Sequence, residues 1–321
     1  MDNRQAHASR VFDLQGHRGA RGLWPENTLN GFKHALGLGV STLELDCAVT
    51  RDGVVVISHD PLLNPDHTRD ATGRFLESAG PAIFSLSYPQ LQHYDVGRLR
   101  PGSDYAARFP EQQPIDGERI PRLADLFALV AESGNRTVRF NIETKIYPPQ
   151  PKLTTTPEAF TAGLLAQIHA AGLESRVTLQ SFDWRTLKIA QRLAPEVRTV
   201  ALTDQQGEDD TVQFGKPRAS VWLGGLNAKD FAGSVVSLVK ASGAAVWSPN
   251  FLDIDARLVA EAHSQGLTVI PWTINAPAQM RRLLAISVDG MISDRPDLLR
   301  AVLDSMGIAL PPRIDIGTET S

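Results

Sequence analysis

Short β-branched or apolar runs alternate with longer helix-patterned stretches along almost the whole chain. That rhythm constrains the fold more than any single residue does. Strands are predicted over residues 11–16, 42–48, 137–142, 177–181, 197–202, 244–248, 268–272 and 288–292. Helical patterns between them include 28–37, 122–133, 157–171, 183–193, 256–265 and 277–285. Capping residues mark helix starts, as with Thr28 before Leu29 and Asp183 before Trp184. Glycines close others, as in Ala171-Gly172 and Gln265-Gly266. Strand–helix alternation implies a parallel sheet, and eight such units are the number that closes a TIM (β/α)8 barrel. The alternative is an open doubly wound sheet, but no strand is followed by a glycine-rich dinucleotide fingerprint. The expected fold class is therefore α/β, a single barrel domain over residues 1–321.

One stretch breaks the rhythm. Residues 60–120 are too long for a simple βα connection and rich in turn formers, among them Pro61, Pro65, Gly73, Pro101-Gly102 and Pro114. They are expected to form a small inserted subdomain after the second strand. It should lie beside the active end, because barrel enzymes carry their chemistry on the loops at the strands' C-terminal ends. The segment after Leu310, with Pro311-Pro312, reads as a loose tail.

Polar residues recur at those strand ends. His17-Arg18 end the first strand, and Glu44 and Asp46 lie on the second. Residues two apart on a strand share a face, so these two carboxylates are side by side, a hard oxygen donor pair for Mg²⁺ or Ca²⁺. Glu143, ending the third strand, is the natural third ligand, or else an ion-pair partner of Lys145. His17 and His59 suit an acid–base pair, since an imidazole titrates near working pH. Arg18 and Lys145 suit phosphate, one as a planar fork and the other as a point charge. Trp272 can wall an apolar or glycerol-like group, or simply pack the barrel top; Phe182 and Trp184 are expected to pack. Glu26 and Asn27 brace the first loop, and Gln180 and Asp294 lie near other strand ends. The remaining histidines, His67 among them, are read as surface or packing residues. Together these groups point to phosphodiester chemistry with one divalent ion.

A formal charge of −4 excludes a broad basic surface for nucleic acid. Cys47 is the only cysteine, so no internal disulfide can form. Residues 1–7 lack the apolar core of an export signal, and no window approaches the length of a membrane span. A cytoplasmic location is expected, or a periplasmic one if a signal has been removed, with no stable membrane insertion.

These residues together resemble the glycerophosphodiester phosphodiesterase family. The resemblance rests on Gly16-His17-Arg18-Gly19, Pro25-Glu26-Asn27-Thr28, Leu43-Glu44-Leu45-Asp46, Thr50-Arg51-Asp52-Gly53 and Ser58-His59-Asp60-Pro61. It continues through Glu143-Thr144-Lys145, Gln180-Ser181-Phe182, Trp272-Thr273-Ile274-Asn275 and Asp289 to Pro296. It implies a TIM barrel with an insertion after the second strand. It further implies hydrolysis of small glycerophosphodiesters to glycerol 3-phosphate and an alcohol. Glu44, Asp46 and Glu143 would bind Mg²⁺ or Ca²⁺, His17 and His59 would exchange protons, and Arg18 and Lys145 would hold phosphate. The extended loop 147–151 bears on which alcohol is preferred. The rival readings are a lipid-directed, lysophospholipase D-like enzyme and a barrel that only binds phosphodiesters.

Overall fold

The computed structural model describes residues 11–314. Its strands are β1 (Asp13–Gly16), β2 (Thr42–Val49), β3 (Val55–Ile57), β4 (Arg139–Thr144), β5 (Val177–Ser181), β6 (Arg198–Thr203), β7 (Val246–Pro249), β8 (Thr268–Val269) and β9 (Gly290–Ser293). All but β3 pair in parallel, in the order β8-β7-β6-β5-β4-β2-β1-β9. Beyond that path, backbone bonds join its two ends. Asp289 N donates to Val269 O at 2.9 Å, Ile292 N to Pro271 O at 3.0 Å and Ile274 N to Ile292 O at 3.0 Å. The eight parallel strands therefore form a nearly closed barrel, as expected.

The helices are α1 (Leu29–Leu38), α2 (Tyr88–Leu91), α3 (Asp104–Arg108), α4 (Leu123–Glu132), α5 (Pro157–Ala171), α6 (Trp184–Leu193), α7 (Val235–Ala241), α8 (Ala256–Ser264), α9 (Pro277–Ala285) and α10 (Pro296–Ser305). The expected caps hold: Thr28 accepts from Gly31 N, and Gly39 ends α1 in the left-handed region at φ 81°. Two helices, α7 and α10, are not among the helical patterns named from sequence. The β-branched run Val235-Val236 disguises α7, and Pro296, sitting at the first turn of α10, reads in sequence as a breaker.

Strand alternation divides the residues into two sets. Outward side chains such as Leu14, Leu45, Phe140, Leu179 and Trp247 join helix residues such as Phe32, Leu126, Leu164 and Leu299 in one buried apolar shell. The inward set is split in chemistry. On one side Val200, Val246, Ile270 and Ile292 form a small apolar cluster. On the other, buried amides make a polar ladder. Asn141 Nδ2 donates to both Gln15 Oε1 and Gln180 Oε1 at 2.9 Å, and Gln180 Nε2 donates to Glu44 Oε1 at 2.6 Å. Each bond is worth only about 1 kcal/mol net, but an orphaned buried amide costs more, so the ladder holds its members in one arrangement.

The excursion between β3 and α4 contains α2, α3 and no strand. It packs around its own apolar cluster, with Leu63, Ile83, Leu91 and Val96 resting on Val56 of β3. The tail expected to be loose is not so up to residue 314. Arg300 donates to Pro311 O at 2.7 Å and to Gly39 O, just past α1, at 2.8 Å, and Ile314 packs on the core. The rest of that tail, and residues 1–7, lie outside the described residues.

The seam between β8 and β9 is short, and Asp289 reinforces it. Its carboxylate accepts from Val269 N at 2.7 Å and pairs with His263 Nε2 at 2.9 Å. Asp289→Ala should lower stability by about 2 kcal/mol. Hydrogen exchange should speed up first at residues 268–274 and 289–293; unchanged protection there would show that the seam does not depend on this carboxylate.

Candidate active site

The candidate site residues sit near or just past the C-terminal ends of the barrel strands. β1 delivers His17 and Arg18 into a tight turn that folds back over the strand. At Gly16 an added Cβ would stand 2.1 Å from Gly19 O, so only glycine permits this fold-back. Arg18 takes a left-handed backbone, φ 52°, which turns its amide toward β2. That amide donates to Glu44 Oε2 at 2.9 Å.

β2 runs past the barrel rim, and β3 returns antiparallel to it. Ser58 N then bonds Asp46 O at 2.9 Å, which places His59 beside the carboxylates. This hairpin strand is not among the strands expected from the sequence. Parallel pairing of β2 with β4 sets Asp46 opposite Glu143. Ligand oxygens of Glu44, Asp46 and Glu143 consequently lie within 4.8 Å of one another, all three side chains buried.

Three buried carboxylates this close repel. Burial, then the charge of Asp46, push Glu44 well above the usual carboxylate range. Burial lifts Glu143 to about 7 although Lys145 pulls it down. Burial works against Asp46 too, but His59, Arg18 and Lys145 hold it far below its ordinary value. The ion pair proposed from sequence is present, with Lys145 Nζ 2.8 Å from Glu143 and 3.6 Å from Asp46. It leaves the third acid, Glu44, uncompensated by lysine. Hard oxygen donors in mutual repulsion are the donor set that a divalent cation such as Mg²⁺ or Ca²⁺ suits.

Each imidazole has a carboxylate on the same ring nitrogen. His17 Nδ1 lies 2.6 Å from Asp294 Oδ1, and His59 Nδ1 lies 2.7 Å from Asp60 Oδ1. Asp294 and Asp60 are both held well below the usual range, against burial, Asp294 chiefly by the Arg21 charge and Asp60 chiefly by the hydrogen bond from His59. An ionised carboxylate only accepts, so Nδ1–H donates and Nε2 is left with its lone pair. Burial drives the His17 pKa down to about 4 and lowers that of His59 as well.

The sequence signals for these partners were adjacency and strand-end position, and neither said what they bond. Other bracing groups also escaped. Arg21 Nε donates to Asp294 at 2.9 Å while its guanidinium lies over Phe109. Asn27, expected to brace its loop and to face the phosphate, donates from Nδ2 to Asp46 at 3.0 Å. His67 is not a plain packing residue: its Nε2 lies 4.0 Å from Asp60. Phe182 is not simply core either, since it meets Trp272 edge-on, with centroids 5.5 Å apart, on the cavity wall. Trp184 does pack, fully buried.

All eight residues singled out from sequence, His17, Arg18, Glu44, Asp46, His59, Glu143, Lys145 and Trp272, line one cavity of about 680 Å³. The family model for the glycerophosphoryl diester phosphodiesterase family matches residues 17–298. A glycerophosphodiester phosphodiesterase of Caldanaerobacter subterraneus subsp. tengcongensis is 27% identical, over 88% of this chain and 94% of its own. A crystal structure from Silicibacter pomeroyi assigned to glycerophosphoryl diester phosphodiesterases is 34% identical. It covers 94% of this chain and 96% of its own, with a TM-score of 0.83. A phosphodiesterase of Oleispira antarctica, solved with sn-glycerol-3-phosphate, shares the fold at TM-score 0.65 and 20% identity, over 90% of this chain and 96% of its own.

Glu26 links the first loop to the excursion. It accepts from Arg18 at 2.7 Å and from the Tyr105 hydroxyl of α3. Burial alone would raise its pKa, but Arg18 and then Arg21 bring it down to about 2. A carboxyl depressed in the folded state contributes stability above its unfolded pKa and loses it as pH falls. Here that loss runs from the unfolded carboxyl range, near pH 4.5, down toward pH 2. Its size is on the order of 3 kcal/mol. Glu26→Gln should melt lower at pH 7 and lose less on acidification than the parent; parallel melting curves from pH 6 to 2.5 would contradict the assignment.

Proposed function

The chain belongs to the glycerophosphoryl diester phosphodiesterase family, and on that footing we propose that it cleaves small glycerophosphodiesters by proton exchange between His17 and His59. It is a glycerophosphodiester phosphodiesterase acting on a small molecule. The observation that carries the finer reading is the pairing of two carboxylate-backed imidazoles with three acids in one cavity. Glu44, Asp46 and Glu143 would hold one divalent ion, Mg²⁺ or Ca²⁺. Bound there, such an ion supplies Lewis-acid stabilisation of charge building on the phosphoryl oxygens.

Arg18 and Lys145 would bind the phosphate. Arg18 Nε lies buried 3.2 Å from Asp46 Oδ2 without a well-aligned hydrogen bond, so this donor can turn to a phosphate oxygen. Trp272, its ring N–H bonded to Ser248 O at 2.9 Å, offers a fixed apolar wall to glycerol carbons. In the first step the glycerol's own hydroxyl attacks phosphorus. One imidazole takes its proton, the P–O bond to the alcohol breaks, and the other imidazole protonates the departing oxygen. Water then attacks the cyclic phosphate with the two histidines exchanging roles, releasing glycerol 3-phosphate. Asp294 and Asp60 keep each Nε2 available and stabilise each ring while it is charged. The anionic phosphate, arriving between the rings, raises their pKa values toward working pH.

His17→Ala and His59→Ala should each cut turnover by roughly 10²–10⁴-fold, with the fold retained by circular dichroism. Near-normal rates in both would remove the histidines from the reaction.

Metal dependence is checked by titrating Mg²⁺ or Ca²⁺ after EDTA, with glycerophosphocholine and its acylated counterpart as paired substrates. Activity should return with metal, act on the unacylated ester, and be lost in Glu44→Gln. Full activity in EDTA would refute the ion, and preference for the acylated ester would favour the lipid-directed reading.

A further inference from the structure

The cavity extends well past the phosphate-binding groups, and its outer wall is aromatic. Lys145 Nζ lies 6.0 Å from the Phe182 ring centre, Phe182 meets Trp222 edge-on at 6.4 Å, and Trp222 meets Tyr147 at 5.9 Å. The three rings come from loops after β4, β5 and β6, so no shared element forces them together. They do not close over one another as core: Tyr147 is 41% exposed, and all three line the cavity. Pro148, Pro149 and Pro151 limit the freedom of the loop that carries Tyr147. Glu208, Asp209 and Asp210 line the same cavity, and none has a basic partner among the described residues.

Aromatic faces carry negative quadrupole density, and the acids of the same cavity that lack a basic partner among the described residues add to the field. Asp210 is one of them, its Oδ1 accepting from Val212 N and Gln213 N. A wall so built attracts a cation. We propose that Trp222 and Tyr147 form the subsite for the departing alcohol and select esters whose alcohol carries an ammonium group. This deepens the reading given above and rests on phosphate lying between Arg18 and Lys145. Lys145 repels a second cation at the near face of Phe182, which leaves the outer pair of rings as the favourable position. An ammonium two carbons from the ester oxygen therefore fits better than a neutral polyol.

The test measures kcat/KM with added metal on glycerophosphocholine, glycerophosphoethanolamine and glycerophosphoglycerol. The parent protein should favour the two cationic esters by about tenfold. Trp222→Ala and the double change Asp209→Asn with Asp210→Asn should each move that ratio toward one, chiefly through KM. Trp222→Phe should restore most of it. Tyr147→Ala, at an exposed position, reads the same ratio should Trp222→Ala fail to fold. Equal rates for all three esters in the parent, or a parallel fall for all three in Trp222→Ala, would overturn the subsite and leave the phosphodiesterase reading standing. No glycerol 3-phosphate from any ester would overturn both.

Discussion

Three acidic side chains buried within one another's reach are the constraint around which the barrel mouth is organised. Left alone they would force one another to take up protons or pull apart. Every strand near them contributes a remedy. β1 supplies the Arg18 amide, β4 supplies Lys145, the first loop supplies Asn27, and β5 supplies Gln180. The polar half of the barrel interior follows from the same need. Gln180 reaches Glu44 while Asn141 holds it, and Gln15 in turn accepts from Asn141. The opposite half, with no acid to position, is filled by Val200, Val246, Ile270 and Ile292.

The excursion over residues 60–120 is tied into the same network. Asn64 donates to Asp60 at 2.7 Å, fixing the carboxylate that orients His59. Tyr105 hydrogen-bonds Glu26 and accepts from Arg21, and Arg21 in turn grips the carboxylate that orients His17. A segment without a strand of its own thus braces both imidazoles. Its small apolar cluster on Val56 of β3 anchors it to the hairpin that carries His59.

Much of this was legible in the chain. Short apolar runs separated by capped helices pointed to the barrel, because strands of a parallel sheet buried on both faces read as near-continuous apolar stretches. Strand ends pointed to the site, since parallel strands bring their C-terminal ends to one rim. What escaped were contacts that cross the barrel. Asp294 meets His17 across 277 positions of sequence, and no local pattern records such a pairing. Phe182 was taken for core because an aromatic beside a strand end looks the same whether it faces a helix or a cavity. α7 carries a weak helical signal because its valines suit a strand locally, and packing against the sheet and neighbouring helices decides it.

By itself the sequence determined which chemical groups exist and which strand end each one occupies. Those follow from periodicity and spacing, which are local properties of a polypeptide. Only the tertiary structure decided which groups meet: Asp46 facing Glu143, a carboxylate behind each imidazole, and three rings from separate loops on one wall. The reason is that strand register and barrel closure set distances between residues far apart in the chain, and the energies of burial and charge depend on those distances.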